Sequence, residues 1–214
     1  MRVNEIFYSL QGEGFHTGTP AVFIRLAGCN LHCAFCDTDH VSFMEMSEEE
    51  IVAAVADYPA SLVVVTGGEP ALQLTESLVD RLHVENRFVA VETNGTRPLP
   101  GNVDWITLSP KHTFVGHRGK VVLTYADEVK VVFDGIHRVD DMLGEVEADN
   151  YFVQPCDTGD VRRNQLIVRQ CVDFVKRNPP WRLSLQTHKI LNIKQEERIP
   201  MPLGIRSSSS LWMS

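Results

Sequence analysis

The sequence contains no long apolar run, no apolar leader and no surplus of basic residues. No run approaches the roughly eighteen apolar residues that a membrane span requires, so we expect no membrane segment. The first residues, MRVNE, lack the apolar region of a secretory signal, which predicts a cytoplasmic protein. The formal net charge of −8 disfavours a general nucleic-acid surface, which would be basic.

Cysteine is scarce as well, but three of the five cysteines stand together. Cys29, Cys33 and Cys36 form the pattern C-x3-C-x2-C, and an odd cysteine count in a chain of this size does not suggest a disulfide framework. A four-iron cluster is usually held by four cysteine thiolates, so three would leave one iron open to another ligand. The residues alone leave an alternative open, a tetrahedral zinc site completed by His32 or His40.

Apolar runs alternate with helical patterns along the chain, which predicts βαβ units and a mostly parallel sheet. The predicted strands are residues 21–26, 62–65, 88–91, 105–108, 128–133, 151–153 and 182–185. The predicted helices are residues 51–56, 72–82, 139–146 and 164–177, the first of them preceded by the capping box SEEE at 47–50. Residues 98–104 and 108–127 lack a clear helix. The fold class is therefore α/β, with a shortened, partial (β/α) barrel.

Polar and glycine-rich tails follow the predicted strands. They are the cysteine loop, TGGEP at 66–70, ETNGT at 92–96, SPK at 109–111, QP at 154–155 and QTHK at 186–189. Because parallel α/β folds build their sites at the carboxyl ends of the strands, we expect these tails to share one rim. In GGEP, paired glycines allow a close backbone approach, Glu69 can accept from an amine, and a plain strand-to-helix turn is the simpler alternative.

The cysteine pattern followed by GGEP resembles the radical S-adenosylmethionine (SAM) superfamily. Further motifs narrow the resemblance: LQGEG at 10–14, CDT at 36–38, ETNGT at 92–96 and LQTHK at 185–189. Together they resemble the 7-carboxy-7-deazaguanine synthase family, over residues 3–193. Residues 1–193 would then form the radical SAM core domain, and residues 194–214 an extension that is most simply a tail.

The resemblance implies a [4Fe-4S] cluster, SAM and Mg²⁺, each with its own residues. The cluster ligands would be Cys29, Cys33 and Cys36, and the Mg²⁺ ligand Thr38. The SAM-binding residues would be Phe35, Asp37, Gly67, Gly68, Glu69, Gly95, Ser109, Pro110, Lys111 and Gln154. The residues that bind the substrate would be Leu10, Gln11, Gly12, Glu13, Arg25, Thr93 and His188.

The implied activity is a radical SAM carbon–nitrogen lyase of queuosine-precursor biosynthesis. It would convert 6-carboxy-5,6,7,8-tetrahydropterin to 7-carboxy-7-deazaguanine and release ammonia. The implied partners are a flavodoxin-type reductase and a second copy of the chain in a homodimer, without nucleic acid or membrane. The resemblance names no general acid or base. Two alternatives remain: another radical SAM enzyme, such as a glycyl-radical activase, or a non-enzymatic zinc or iron–sulfur interaction protein.

Overall fold

The computed structural model of the chain describes residues 1–36, 38, 41–143 and 145–193. The strands are β1 (Arg2–Leu10), β2 (Pro20–Leu26), β3 (Met44–Glu45), β4 (Leu62–Gly67), β5 (Phe88–Thr93), β6 (Trp105–Leu108), β7 (Tyr125–Phe133), β8 (Glu147–Pro155) and β9 (Trp181–Leu183). The helices are α1 (Glu48–Ala56), α2 (Glu76–Val84), α3 (His112–Val115), α4 (Val139–Leu143), α5 (Val161–Arg177) and α6 (Thr187–Ile190).

All the strands of the described chain join one sheet in the order β3-β1-β2-β4-β5-β6-β7-β8-β9. Strand β2 runs parallel to β4, and each of the strands from β4 to β9 runs parallel to the next, whereas β1 pairs antiparallel with both β2 and β3. In the described residues β3 and β9 are the two edges, so the sheet does not close on itself. The predicted α/β class with a partial barrel is confirmed.

Alternation along the strands divides the core between the two faces of the sheet. Ile24 and Val65 are fully buried and pack with the apolar side chains of α1 and α2. Phe7, Phe23 and Val64 belong to a separate cluster on the opposite face. Because β4 is covered on both faces, its sequence LVVV is apolar throughout rather than alternating. The same alternation places Arg25 and Phe23 on one face, the concave face that carries the site.

The structure differs from the predicted elements at several places. The predicted helix over 72–82 is a 3-10 turn, Pro70–Leu72, followed by α2, because Thr75 caps the later start by accepting a hydrogen bond from Leu78 N at 3.1 Å. The helix predicted over 139–146 ends at Leu143, and β8 begins at Glu147. Strand β1 had no predicted counterpart, since its polar residues obscure the apolar pattern. No helix in the described part of the chain is long and apolar enough to cross a membrane.

Candidate active site

One cavity of about 900 Å³ opens at the carboxyl ends of the parallel strands. The predicted residues on its wall are Leu10, Gln11, Gly12, Glu13, Arg25, Cys29, Cys33, Phe35, Cys36, Thr38, Gly67, Gly68, Thr93, Ser109, Lys111, Gln154 and His188. Glu69, Gly95 and Pro110 do not line it, and Asp37 lies outside the described residues. The fold therefore brings segments that are up to 178 residues apart in the sequence to one place, while the individual roles remain predictions.

The cysteine loop directly follows β2. Leu31 N donates to Cys29 Sγ at 3.4 Å, and Cys36 N donates to the Cys33 carbonyl at 3.1 Å, so the loop is a compact turn. Burial raises the pKa of both Cys29 and Cys33, and Cys36 is exposed. No three Cys, His, Asp or Glu side chains of the described residues converge as ligands of a single metal ion. Three thiols from one loop are a donor set that a cluster uses, with each thiolate on a different iron. His40 of the zinc alternative lies outside the described residues.

The two glycines of GGEP pack against the backbone that leads into the cysteine loop. Gly68 N donates to the Leu26 carbonyl at 2.8 Å, and a Cβ at Gly68 would stand only 1.8 Å from the Gly28 carbonyl oxygen. Gly67 has a φ of 113°, and a Cβ there would meet the Leu26 carbonyl at 2.2 Å. Both positions therefore require glycine for contact between two protein segments, whatever approaches them from the cavity.

Glu69 is fully buried behind the wall rather than on it. Its carboxylate accepts hydrogen bonds from Thr93 Oγ1 at 2.7 Å, from Asn94 N at 2.8 Å and from Ala71 N at 3.0 Å. Burial raises the pKa of Glu69, and these hydrogen bonds partly offset the effect. In this arrangement the carboxylate joins the end of β4 to the end of β5, and three of its roughly four acceptor sites are used within the protein.

The segment after β6 places a lysine beside the cysteine loop. Lys111 Nζ donates to the carbonyl of Ser109 at 3.0 Å and also to its hydroxyl, and lies 5.9 Å from the Phe35 ring centroid. Burial lowers the pKa of Lys111 to about 8, while the nearby Cys33 favours its charged form. Pro110 is buried beneath this turn. Gly95 packs on Leu108, where a Cβ would come within 2.3 Å of Cδ1, so it supports the wall from behind.

Arg25 is held between an acidic side chain and an aromatic ring. Its Nε lies 3.0 Å from Glu5 Oε1, and its guanidinium carbon lies 5.4 Å from the Phe7 ring centroid. Glu5 and Arg25 are register partners across β1 and β2, so the pairing follows from the sheet itself. The contact with Glu5 is an ion pair rather than an aligned hydrogen bond, since Arg25 Nε has no hydrogen-bond partner among the described residues. The N–H groups of the guanidinium can therefore serve a planar carboxylate in the cavity.

A buried lysine joins two carboxylates on the far wall. Lys130 Nζ lies 2.5 Å from Glu13 Oε2 and 3.2 Å from Glu92 Oε2, and its side chain is 4% exposed. Burial alone would raise the pKa of Glu13, but Lys130 outweighs it and lowers that pKa to about 2. Burial likewise opposes the charge on Lys130, but Glu13 and Glu92 raise its pKa above the ordinary value. Gln186 and Gln11 complete the network, donating to Glu13 at 2.9 Å and to Glu92 at 3.0 Å.

Below this network, Glu128 supports the loop that follows β1. Its Oε2 accepts from Phe15 N at 2.9 Å, while Oε1 is buried without a hydrogen-bond partner among the described residues. Gly14 packs directly on this carboxyl, since a Cβ there would lie 2.0 Å from Oε1. Burial raises the pKa of Glu128 to about 7, with Lys130 acting in the opposite direction.

Sequence reasoning missed Glu92, Lys130 and Gln186, which also line the cavity. A signal for Lys130 was present, because a charged residue in the apolar run VKVV of a parallel strand is expected to be buried and paired. Glu92 stands in the ETNG motif, next to Thr93, which is predicted to bind the substrate. Gln186 carried no signal beyond its place in QTHK.

Comparison with known proteins identifies the family of this chain. Residues 23–114 match the family model described as the radical SAM superfamily. The chain is 50% identical over 194 residues to the 7-carboxy-7-deazaguanine synthase of Bacteroides thetaiotaomicron, covering 90% of this chain and 98% of that protein. The chain belongs to the 7-carboxy-7-deazaguanine synthase family. The synthase of Neisseria meningitidis serogroup B is 38% identical over 200 residues, covering 90% of this chain and 94% of that protein.

A solved structure of this family agrees with the observed fold. QueE from Escherichia coli superposes with a TM-score of 0.72 at 31% identity, covering 87% of this chain and 94% of that chain. Membership confirms the resemblance seen in the motifs. As a radical SAM enzyme of this family, the chain uses a [4Fe-4S] cluster and SAM.

Proposed function

We propose that this chain converts 6-carboxy-5,6,7,8-tetrahydropterin to 7-carboxy-7-deazaguanine with release of ammonia. Membership of the synthase family supports the reaction. Within the site, the main support for the proposal is that one cavity is shared by the cysteine loop and the predicted substrate-binding residues. The three cysteines after β2 face the same space as Arg25 and the Gln11–Glu13 segment, so a reagent bound to the cysteines would meet a substrate bound opposite.

The residues present fit the cofactors that the family requires. Cys29, Cys33 and Cys36 would hold the cluster as three thiolates from one compact loop. SAM would lie along the wall formed by Gly67, Gly68, Ser109, Lys111 and Gln154, which offers backbone and polar groups. When bound, the reduced cluster and SAM supply a strong hydrogen-abstracting reagent, chemistry that no protein side chain provides.

Mg²⁺ would bind near Thr38, on the wall beside the cluster loop. Mg²⁺ prefers oxygen ligands and takes few of them from protein, so one hydroxyl together with a substrate carboxylate and water is a suitable set. Thr38 would then fix the carboxylate end of the pterin next to the cysteine loop.

The side chains of the two walls suit the two ends of the substrate. The guanidinium of Arg25, already oriented by Glu5, would bind the pterin carboxylate. The amide of Gln11 and the carboxylate of Glu13 lie in the opposite network and would face the polar ring edge. The chain's own residues thus bind, orient and exclude water, and we assign none of them as general acid or base.

The partner assignments belong to the same proposal. The substrate is a small pterin, the chain works as a homodimer, and a flavodoxin-type protein delivers the electron that reduces the cluster. Residues 1–193 form the catalytic domain. The extension at 194–214, which lies outside the described residues, takes no part in this account.

Anaerobic purification followed by iron analysis, visible spectroscopy and turnover tests the function. We expect a brown protein that, with SAM, dithionite and the pterin, forms 7-carboxy-7-deazaguanine detected by mass spectrometry. Cys36→Ser should lose the cluster and the activity. The matched control is Cys171→Ala, because Cys171 is fully buried in α5 away from the cavity and should leave iron content unchanged.

Two results would replace this proposal. A colourless protein that contains zinc would support the interaction-protein alternative. A brown protein that cleaves SAM but leaves the pterin unchanged would support another radical SAM activity.

A further inference from the structure

A buried carboxyl that the proposed reaction does not use lies behind the cavity. Glu128 is almost fully buried and does not line the cavity wall. Its Oε1 has no hydrogen-bond partner among the described residues, and a Cβ at Gly14 would come within 2.0 Å of this oxygen. Charge on such an enclosed oxygen costs stability, which a glutamine of the same shape would avoid. Packing alone therefore does not explain a carboxyl at this position.

Glu128 and Lys130 act on the same loop from neighbouring positions of β7. They are two residues apart and hence on the same face of the sheet, about 7 Å from each other along the strand. Glu128 Oε2 accepts from Phe15 N at 2.9 Å, and Lys130 Nζ donates to Glu13 Oε2 at 2.5 Å. Glu128 therefore supports the loop after β1 from beneath, while Lys130 holds the part of it that lines the cavity.

Lys130 links Glu128 to the side of the cavity that would face the pterin ring. The carboxylates of Glu13 and Glu92 and the amide of Gln11 line this side, and we call these three side chains the polar wall. The ammonium of Lys130 lies 2.5 Å from Glu13 Oε2 and 3.2 Å from Glu92 Oε2. While Glu128 is neutral, one ammonium serves two carboxylates. Once Glu128 is ionised, a third carboxylate attracts the same ammonium, so the contacts of the ammonium with the polar wall weaken.

The charged groups that face Glu128 come from three elements of the fold. They are Lys130 of β7, Glu13 of the loop after β1 and Glu92 of β5. The register partners of Glu128 on the flanking strands β6 and β8 are Thr107 and Asn150, which are uncharged. Burial raises the pKa of Glu128 to about 7, with Lys130 lowering it and the two carboxylates raising it. Glu128 therefore changes its charge near neutral pH.

Titratable residues that are adjacent in the sequence or packed on the same loop make their contacts elsewhere. Arg182 is exposed and packs on the ring of Phe15. His16 packs on the ring of Trp105. Asp127 lies on the opposite face of β7, where its carboxylate accepts a backbone hydrogen bond from β6 at 2.7 Å. Ionisation of Glu128 therefore acts mainly on Lys130 and the polar wall.

We propose that Glu128 is a positioning residue for the polar wall. It holds the loop after β1 through Phe15 N, and it sets how firmly Lys130 binds the two carboxylates of the wall. This inference rests on the proposed function, because it assigns the pterin to that wall. Since the neutral form of Glu128 leaves the ammonium to the wall, the pterin binds best below the pKa of Glu128.

The test measures how pterin binding by the holoenzyme depends on pH. Glu128→Gln keeps the neutral shape at every pH, and Glu128→Ala removes the acceptor of Phe15 N. The matched control is Thr107→Val, which changes a buried register partner of Glu128 without removing a charge. The KM and kcat for the pterin are measured with SAM and dithionite between pH 6 and 8, and binding of the pterin is measured by isothermal titration calorimetry over the same range.

We expect the KM of the parent to rise about fivefold from pH 6 to 8 with a smaller change in kcat, which is most of the roughly tenfold effect of weakening one charge-assisted hydrogen bond. Glu128→Gln should keep the low KM throughout, and Thr107→Val should follow the slope of the parent. Glu128→Ala should raise the KM at every pH, because Phe15 N loses its acceptor. Lys111, whose pKa burial lowers to about 8, titrates in every variant, so its contribution cancels in the comparison.

Three results would overturn the inference. The first is a pH profile of Glu128→Gln that runs parallel to that of the parent. The second is a profile that becomes flat in Thr107→Val as well, since any disturbance near β7 would then have the same effect. The third is weak pterin binding by Glu128→Gln at pH 6, since the neutral shape would then be insufficient.

A measurement without the pterin separates this inference from the proposed function. Amide hydrogen exchange of Glu13 N, which donates to Gln11 Oε1 at 3.2 Å, reports the order of the polar wall itself. The amide should exchange faster in the parent than in Glu128→Gln at pH 8, and equally fast in both at pH 6. That pattern would support control of the wall by Glu128 even if the parent neither bound nor converted the pterin, which is how failure of the proposed function would appear. Equal exchange at both pH values would overturn the inference.

Discussion

Replacing Glu128 by glutamine should change how the stability of this protein depends on pH. The side chain is 2% exposed, and one of its oxygens has no hydrogen-bond partner among the described residues. Burial raises its pKa to about 7 from an ordinary value of 4.5. Glutamine has the same shape, can still accept from Phe15 N, and does not titrate.

The direction and magnitude of this pH dependence follow from the pKa of Glu128 in the folded and the unfolded state. Because the folded pKa lies above the unfolded one, the folded state holds a proton that the unfolded state has released between pH 4.5 and 7. The carboxyl therefore contributes stability that is fully present below pH 4.5 and is lost as the pH rises through 7. At about 1.4 kcal/mol for each pH unit of separation, the loss is about 3 kcal/mol.

The assay is urea unfolding of the parent and Glu128→Gln in parallel, without air, at several values between pH 5 and 8. Contributions common to both proteins cancel in the difference, including that of His16, whose pKa is lowered by burial. We expect the variant to gain about 2 kcal/mol relative to the parent between pH 5 and 8, since part of the loss already occurs below pH 5. Glu147→Gln, an exposed change in β8, controls for the loss of one charge. A difference between parent and variant that stays constant from pH 5 to 8 would refute the reasoning.

Three further perturbations test the local geometry. Glu5→Ala should raise the KM for the pterin about tenfold with a smaller effect on kcat, because Arg25 loses the charge that orients it. Glu5→Asp, which keeps that charge, should retain most of the affinity. Gly68→Ala should lower the iron bound per chain, because its Cβ would clash with the Gly28 carbonyl, whereas Gly101→Ala, with open space around it, should not. Ser47→Ala should cost about 1 kcal/mol in urea unfolding by removing the cap that accepts from Glu50 N, without changing turnover.

The sequence predicted the parallel part of the fold well, because its signal is local. The run LVVV of β4 is short, continuous and apolar, WITL of β6 is apolar at three of its four positions, and both strands lie where they were expected. Strand β1 was not predicted because it is specified by its pairing with other segments rather than by a local apolar pattern. Its sequence, RVNEIFYSL, mixes polar and apolar residues, and Asn4 and Glu5 find partners only in segments that the fold brings alongside.

The sequence predicted the motifs that form the site. It could not predict which charged side chains pair within the site. Lys130 and Glu13 are 117 residues apart, and no local pattern indicates that they meet. Their contact arises because the loop after β1 crosses the interior of the open sheet, where Ser184 Oγ accepts from Gly14 N at 3.0 Å. Such a crossing is a property of the folded chain, because β1 and β2 hold the ends of the loop while its partners Lys130 and Ser184 lie 117 and 170 residues further along the chain.

The signature motifs also act on one another, which changes how a substitution in any of them should be interpreted. Glu69 of GGEP holds Thr93 and Asn94 of the ETNG motif. Asn94 in turn donates from Nδ2 to Asn30 Oδ1 in the cysteine loop at 3.1 Å. The three loops are thus joined by buried or half-buried hydrogen bonds, and loss of one partner leaves another unsatisfied at a cost of about 1–3 kcal/mol. A variant of Glu69 can therefore abolish activity by displacing the cysteine loop, so its iron content has to be measured before its loss of turnover is assigned to SAM binding.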